Sequence, residues 1–213
     1  MAWLDDPDLI KRRRQSLADA HVAQLECWRE GLLADGRPVP HFDPADGGVD
    51  ARLLLLLETP GPGPERTRFV SRDNPSGTAR NLRRYLDEAG IDRSDFVLWN
   101  TVPWIMHPPG ARNRTLRKAE IDAGLATLPG LLALLPKLKV CLLAGRVATK
   151  AGQLVSAHDA SIKVMPMPHP SPANVCTSPQ VGDRLRAAFS EAAALLNQSS
   201  MTIGTIQSTN WND

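Results

Sequence analysis

Cysteine is scarce in this chain: there are three, Cys27, Cys141 and Cys176, an odd number with no CxxC pair among them. That argues against a disulfide framework and against a zinc or iron–sulfur site built from cysteine alone. Cys141 stands within Val140-Cys141-Leu142-Leu143, where a thiol acts as a small buried hydrophobe. No apolar run reaches the length of a membrane span, and the N-terminus carries acids and a basic run in place of a secretory apolar segment. The expected setting is the bacterial cytoplasm, with no membrane partner. Signatures of several chemistries are missing too. There is no GxSxG, no Cys beside a His and no HExxH, and Gly61-Pro62-Gly63 matches neither a P-loop nor GxGxxG. Charge of one sign is also absent. A net charge of +2 does not by itself argue for nucleic acid.

What is present is an ordinary soluble composition, 42% hydrophobic and 23% charged, in 213 residues, enough for one domain with a substantial core. Its most informative segment is Leu53 to Leu57 running into Glu58-Thr59-Pro60-Gly61-Pro62-Gly63-Pro64. An unbroken apolar run closed by Pro and Gly reads as a strand buried on both faces, as in a parallel sheet. Similar strands are expected at 95–101, 139–144 and 162–165. Helical spacing is read over 8–33, 77–89 (capped by Ser76 and stopped by Gly90), 117–135 with a bend or break at Pro129-Gly130, 145–155 and 179–196. Residues 37–50, rich in Pro, Asp and Gly, read as a surface loop. Strands alternating with helices imply an α/β fold, three-layer α/β/α around a central four-stranded, mainly parallel sheet. The expected organisation is an N-terminal helix and loop (1–50) packed on the main domain (51–197), followed by a polar tail (198–213).

In such a sheet the segments that follow each strand gather at one edge, where ligands bind in open α/β folds. That edge would hold Glu58, Asn100, His169 and Ser171, widely separated along the chain. Asn100 both donates and accepts, as recognition of an amide-like edge requires. His169, between Pro168 and Pro170, is suited to donate to an oxygen that gains negative charge. Each residue also has a plainer reading. Glu58 can open an ordinary turn, Phe69 can anchor a loop, Asn100 can satisfy backbone groups, and His169 can serve only the turn. Local basic clusters, Lys11 to Arg14, Arg80-Arg83-Arg84 and Arg112-Arg114-Arg117-Lys118, suit phosphates or simply face solvent.

The same residues resemble the motifs of the uracil-DNA glycosylase superfamily. Glu58-Thr59-Pro60-Gly61 is similar to the GExPG motif of its family 4 type, Phe69-Val70-Ser71-Arg72 to FVGR, Asn100-Thr101-Val102 to NVV, and His169-Pro170-Ser171-Pro172 to HPSP; Asn113-Arg114 sits where an NR pair is common. The segments occur in the family's order. The resemblance spans residues 52–196 and implies excision of uracil from DNA by base flipping, in base excision repair. It implies Phe69 stacking on the extrahelical base, Asn100 on its edge, and His169 as the donor to O2. Glu58, or failing it Glu65, would position water or stabilise the cationic sugar, with Thr59 and Gly61 against the base. Ser171, Arg72 and Arg114 would hold phosphates, and Val175 or Ala173 would enter the stack.

The departures bear on function. None of the four cluster-binding cysteines of family 4 is matched, and Trp104 occupies one such place, so the chain is expected to bind no metal and no cofactor. Leu57 replaces the opening glycine of the first motif. Thr59 falls where family 1 has its water-positioning aspartate, and Gly61 near the tyrosine that excludes thymine. The alternative is therefore a catalytically weak relative that binds damaged or single-stranded DNA without excising a base. In either case the expected partner is DNA, uracil-containing for the enzyme, and the expected state is a monomer.

Overall fold

The computed structural model describes residues 3–61, 69–106 and 114–204. Its strands are β1 (His41–Phe42), β2 (Leu53–Leu57), β3 (Phe69–Val70), β4 (Phe96–Asn100), β5 (Val140–Ala144) and β6 (Lys163–Met167). The helices are α1 (Pro7–Gln15), α2 (Ala20–Gly31), α3 (Gly77–Glu88), α4 (Lys118–Leu132), α5 (Gly145–Thr149), α6 (Gly152–His158), α7 (Pro172–Val175) and α8 (Pro179–Gly204). Four strands form a parallel sheet in the order β4-β2-β5-β6, and β1 pairs in parallel with β3 in a second, two-stranded sheet. Helices flank the larger sheet, so the expected α/β architecture is present.

Burial explains the order. The five leucines of β2 are all buried and lie between β4 and β5, the position that demands apolar side chains on both faces. Pro166 falls within β6, an edge strand, where a missing N–H leaves no ladder bond unmade on the open side. Ser76 caps α3, its Oγ accepting from Ala79 N–H at 3.2 Å, and Gly90 ends the turn at φ +67°. Among the described residues no helix is long and apolar enough to cross a membrane.

Several elements differ from the expectations. The 8–33 pattern is two helices, because Asp19 is extended (φ −61°, ψ 142°) after a 3₁₀ turn at Ser16–Ala18. Pro129 does not divide α4: the buried Gly124, Leu128, Leu131 and Leu132 hold the helix through to Leu132. Tertiary packing outweighs the lost N–H there. The 145–155 segment is split into α5 and α6, and α8 continues to Gly204, so the start of the expected polar tail is helical.

The largest correction concerns residues 37–50. They are not a surface loop. Phe42 is buried and stacks on Trp99 of β4, ring centroids 3.9 Å apart and 11° from parallel. Burying a side chain of that size stabilises by about 1.5–3 kcal/mol. Asp43 and Asp46 are buried as well, in a cluster with Asp73 and three arginines. Arg93 reaches all three carboxylates, Asp73 at 2.6 Å, Asp43 at 2.7 Å and Asp46 at 2.9 Å. Arg13 of α1 joins Asp73 and Asp43, Arg83 of α3 bonds Asp73, and Ser71 donates to Asp43. Burial and then the neighbouring Asp43 push the Asp46 carboxyl well above the usual range. Asp73 also feels burial, but Arg93 and Arg83 hold it below that range.

Arg93→Ala leaves three buried carboxylates short of their shared guanidinium and is expected to cost about 3–5 kcal/mol in chemical denaturation. Arg93→Lys should recover only part of this, since one ammonium cannot span three acceptors. A loss below about 1 kcal/mol for Arg93→Ala would contradict the cluster's role.

Candidate active site

The carboxyl ends of the parallel strands meet as the topology requires. Leu57 pairs with Asn100 and Ala144 with Met167, so Glu58, Thr101, Gly145 and Pro168 all leave the sheet along one edge. Thr101 N–H and Oγ each bond Leu57 O at 2.8 Å, and Val102 N–H bonds Glu58 O at 2.9 Å, which locks the exits of β2 and β4 together. A cavity of about 590 Å³ opens on this edge. Seven of the residues singled out from the sequence line it: Glu58, Thr59, Gly61, Phe69, Asn100, His169 and Ser171.

His169 is held from both sides. Its carbonyl accepts from Asn174 Nδ2 at 2.9 Å, and the next carbonyl, of Pro170, accepts from Asn81 Nδ2 at 2.8 Å. Gly77 lets α3 abut Pro172, since a Cβ there would lie 2.2 Å from the proline ring. Ser171 N–H donates to His169 Nδ1 at 3.1 Å. A neutral ring with Nδ1 as acceptor carries its proton on Nε2. Burial pushes the imidazole below its ordinary 6.5, and the charge of Glu58 offsets only part of this. His169 is therefore an uncharged Nε2–H donor at neutral pH.

Glu58 is fixed by α5. Ala144, at the N-cap of α5, offers no side-chain acceptor, and Glu58 Oε1 supplies one by accepting from Val147 N–H at 3.0 Å. Gly145 makes this possible at φ +90°, where a Cβ would stand 2.6 Å from Glu58 Oε1 and 3.2 Å from His169 Cβ. Asn100 is buried and lines the cavity. Thr59 Oγ1 is buried without a partner among the described residues. Phe69 presents to the cavity from β3, its carbonyl held by Asn74 Nδ2 at 2.9 Å. At Gly61 an added Cβ would meet nothing within 4 Å among the described residues.

Three residues expected to contact DNA are not among those lining the cavity. Arg72 pairs with Asp87 at 3.1 Å and sits 5.5 Å from the Phe96 ring. Arg114 makes a two-pronged contact with Glu120, at 2.9 and 2.5 Å. Val175 packs on the hydrophobic core from α7, whereas Ala173, on the same turn, is exposed. Glu65 and Asn113 fall outside the described residues. The sequence reading missed Asn74, Asn81 and Asn174, which gave no signal beyond their chemistry; Gly145 was expected at this edge as a strand end, but not as the residue whose missing Cβ makes room for Glu58.

A family model described as the uracil DNA glycosylase superfamily matches residues 44–196. The chain belongs to that superfamily. Its activity class is that of a DNA glycosylase, a hydrolase acting on DNA. Among solved structures, Pedobacter heparinus SMUG2 superposes with a TM-score of 0.52 at 14% identity, covering 70% of this chain and 77% of that one. A mimivirus UNG variant in complex with UGI gives 0.43 at 14% identity, covering 80% and 72%. The first supports the fold alone. No curated protein matches. The iron–sulfur cluster of family 4 does not fit this glycosylase. Trp104 is buried, its Nε1–H bonds Leu32 O at 3.1 Å, and Cys141 lies inside β5. Among the described residues no His, Cys, Asp or Glu group is arranged to hold a metal.

Nitrogen-15 NMR of the imidazole should show a neutral ring protonated at Nε2 at pH 7, titrating below 6.5. Because the folded-state value is depressed, the associated stability is complete above the unfolded value of 6.5. It is lost as pH falls from there to the folded value. A midpoint above 6.5, or a proton on Nδ1, would contradict the assignment.

Proposed function

We propose that this glycosylase hydrolyses the N-glycosidic bond of uracil in DNA, acting as a monomer on a nucleotide flipped out of the helix. A base inside the duplex is out of reach, and one turned into the cavity would be read by stacking and edge hydrogen bonds. The observation that carries this reading is the convergence of Phe69, Asn100 and the Nε2–H of His169 on one cavity. Phe69 offers a ring face to the base, and Asn100 an amide for its O4/N3 edge.

As the C1′–N1 bond breaks, its electron pair moves to the uracil ring and the sugar gains oxocarbenium character. The Nε2–H of His169 meets the charge that develops on O2. A neutral donor suits this role, because it stabilises the anion without transferring a proton. Water then bonds C1′ and releases a proton. Glu58, one oxygen of which is held by Val147 N–H, has the other for orienting that water or countering the positive sugar. The Ser171 hydroxyl supplies a donor for a flanking phosphate, its N–H being engaged by His169 Nδ1. The second reading, binding without excision, rests on Thr59, which stands where family 1 places its aspartate.

Single-turnover excision on a uracil oligonucleotide, with DNA affinity measured separately, tests the roles. His169→Ala should lower the excision rate by roughly 10²–10³, with little change in affinity, since its donor meets charge present only in the transition state. Asn100→Ala should lose both rate and discrimination among bases. If His169→Ala excised at the wild-type rate, His169 would serve only the turn. If neither variant differed from wild type, the shared pocket would be wrong.

A further inference from the structure

We propose that His41, held by Glu26, is a positioning residue for Phe69, so that the base-stacking wall of the site is completed by a segment preceding the family-matched residues 44–196. Glu26 lies on α2 and is buried, yet it serves three donors. Its Oε2 accepts from Arg29 Nε at 2.8 Å and from His41 Nδ1 at 2.6 Å, and its Oε1 accepts from the Phe42 N–H at 2.9 Å. Burial disfavours the charged carboxyl, but His41, Arg29 and the Phe42 N–H together hold it below the ordinary range. An ionised Glu26 only accepts, so His41 Nδ1 donates and the orientation of its ring is set. Arg29 adds a tie from Nη1 to Val39 O at 3.1 Å, which fixes the approach to β1.

That orientation reaches the site through β1. His41 is the register partner of Phe69 in the β1–β3 pair, and the two rings lie 5.6 Å apart at 42°. Tilted aromatic contacts at this separation are favourable. Phe69 lines the cavity, whereas His41 is not among the lining residues, so His41 acts through Phe69. On the other side the Phe69 carbonyl is held by Asn74. The ring is thus fixed by its backbone partner, its register and the imidazole behind it. A stacking ring contributes only when it already stands where the base arrives, and errors near 1 Å are costly in rate.

The proposal rests on the reading that Phe69 stacks on the flipped base, and a double-mutant cycle separates the two. Single-turnover excision of a uracil oligonucleotide is measured with the full chain for wild type, His41→Ala, His41→Gln, Phe69→Ala and His41→Ala/Phe69→Ala, with thermal unfolding of each recorded alongside. His41→Ala should slow excision roughly 2- to 10-fold, the range for one aromatic contact. His41→Gln, which keeps a donor for Glu26 but lacks the ring, should slow it similarly. In the Phe69→Ala background His41→Ala should cause no further loss, because its route to the base is gone. An equal loss in both backgrounds, or a wild-type rate for either His41 variant, would overturn the positioning role. A wild-type rate for Phe69→Ala would instead overturn the stacking reading, and this proposal with it.

Discussion

Parallel pairing of β2 with β4 and β5, and of β5 with β6, fixes where everything else in the molecule stands. Parallel strands run in one direction, so the segments leaving them emerge along one edge. Glu58, Asn100, Gly145 and His169 are brought together by that polarity alone. The arrangement holds because β2 is apolar on both faces. Exchange of one of its leucines for a polar residue would place an unpaired group between two helix layers. The sheet thus supplies the register, and the loops supply the chemistry.

Glu58, the HPSP segment and Phe69 are then each held by a support of their own. Glu58 takes the place of a missing N-cap on α5, the HPSP segment is tied by Asn81 and Asn174, and Phe69 stands between β1 and Asn74. Ser71 and Asp73, just beyond Phe69, enter the cluster of Asp43, Asp46, Arg13, Arg83 and Arg93. Buried ions of this kind contribute little net stability, since desolvation offsets most of their attraction. What the cluster provides is location: it joins α1, the segment before β2, the residues after β3, and α3 at one point. Preorganised donors of this sort are what a glycosylase requires, because the charge they meet exists only while the bond is breaking.

Most of the fold could be read from sequence where the signal was local. The leucine run, the Ser76 cap and the Gly90 stop are short-range features, and they lie in the elements expected, whereas Pro166, expected to follow its strand, lies inside β6. Residues 37–50 were misread because Asp, Pro and Gly give a surface loop and a buried ionic cluster the same composition. The difference lies in Arg13, Asp73, Arg83 and Arg93, which come from distant parts of the chain. A break at Pro129 was expected as one of two outcomes for a related reason, since the packing that carries α4 past it is tertiary. Within the site, Glu58, Thr59, Gly61, Phe69, Asn100, His169 and Ser171 line the cavity. Arg72 and Arg114 carry ion-pair partners, Asp87 and Glu120, that a sequence shows only as separate charges. His41 escaped notice altogether: its relevance appears only when β1 is seen to pair with β3.

The central claim is that the strand-end edge is a working excision site. Its most direct measurement is incubation of the wild-type protein with an end-labelled oligonucleotide carrying a single uracil, followed by alkali. The account predicts a strand break at the uracil position, and none in the same oligonucleotide with cytosine there. An intact uracil strand, from protein shown to bind that oligonucleotide, would contradict it and leave binding without excision as the function of the cavity.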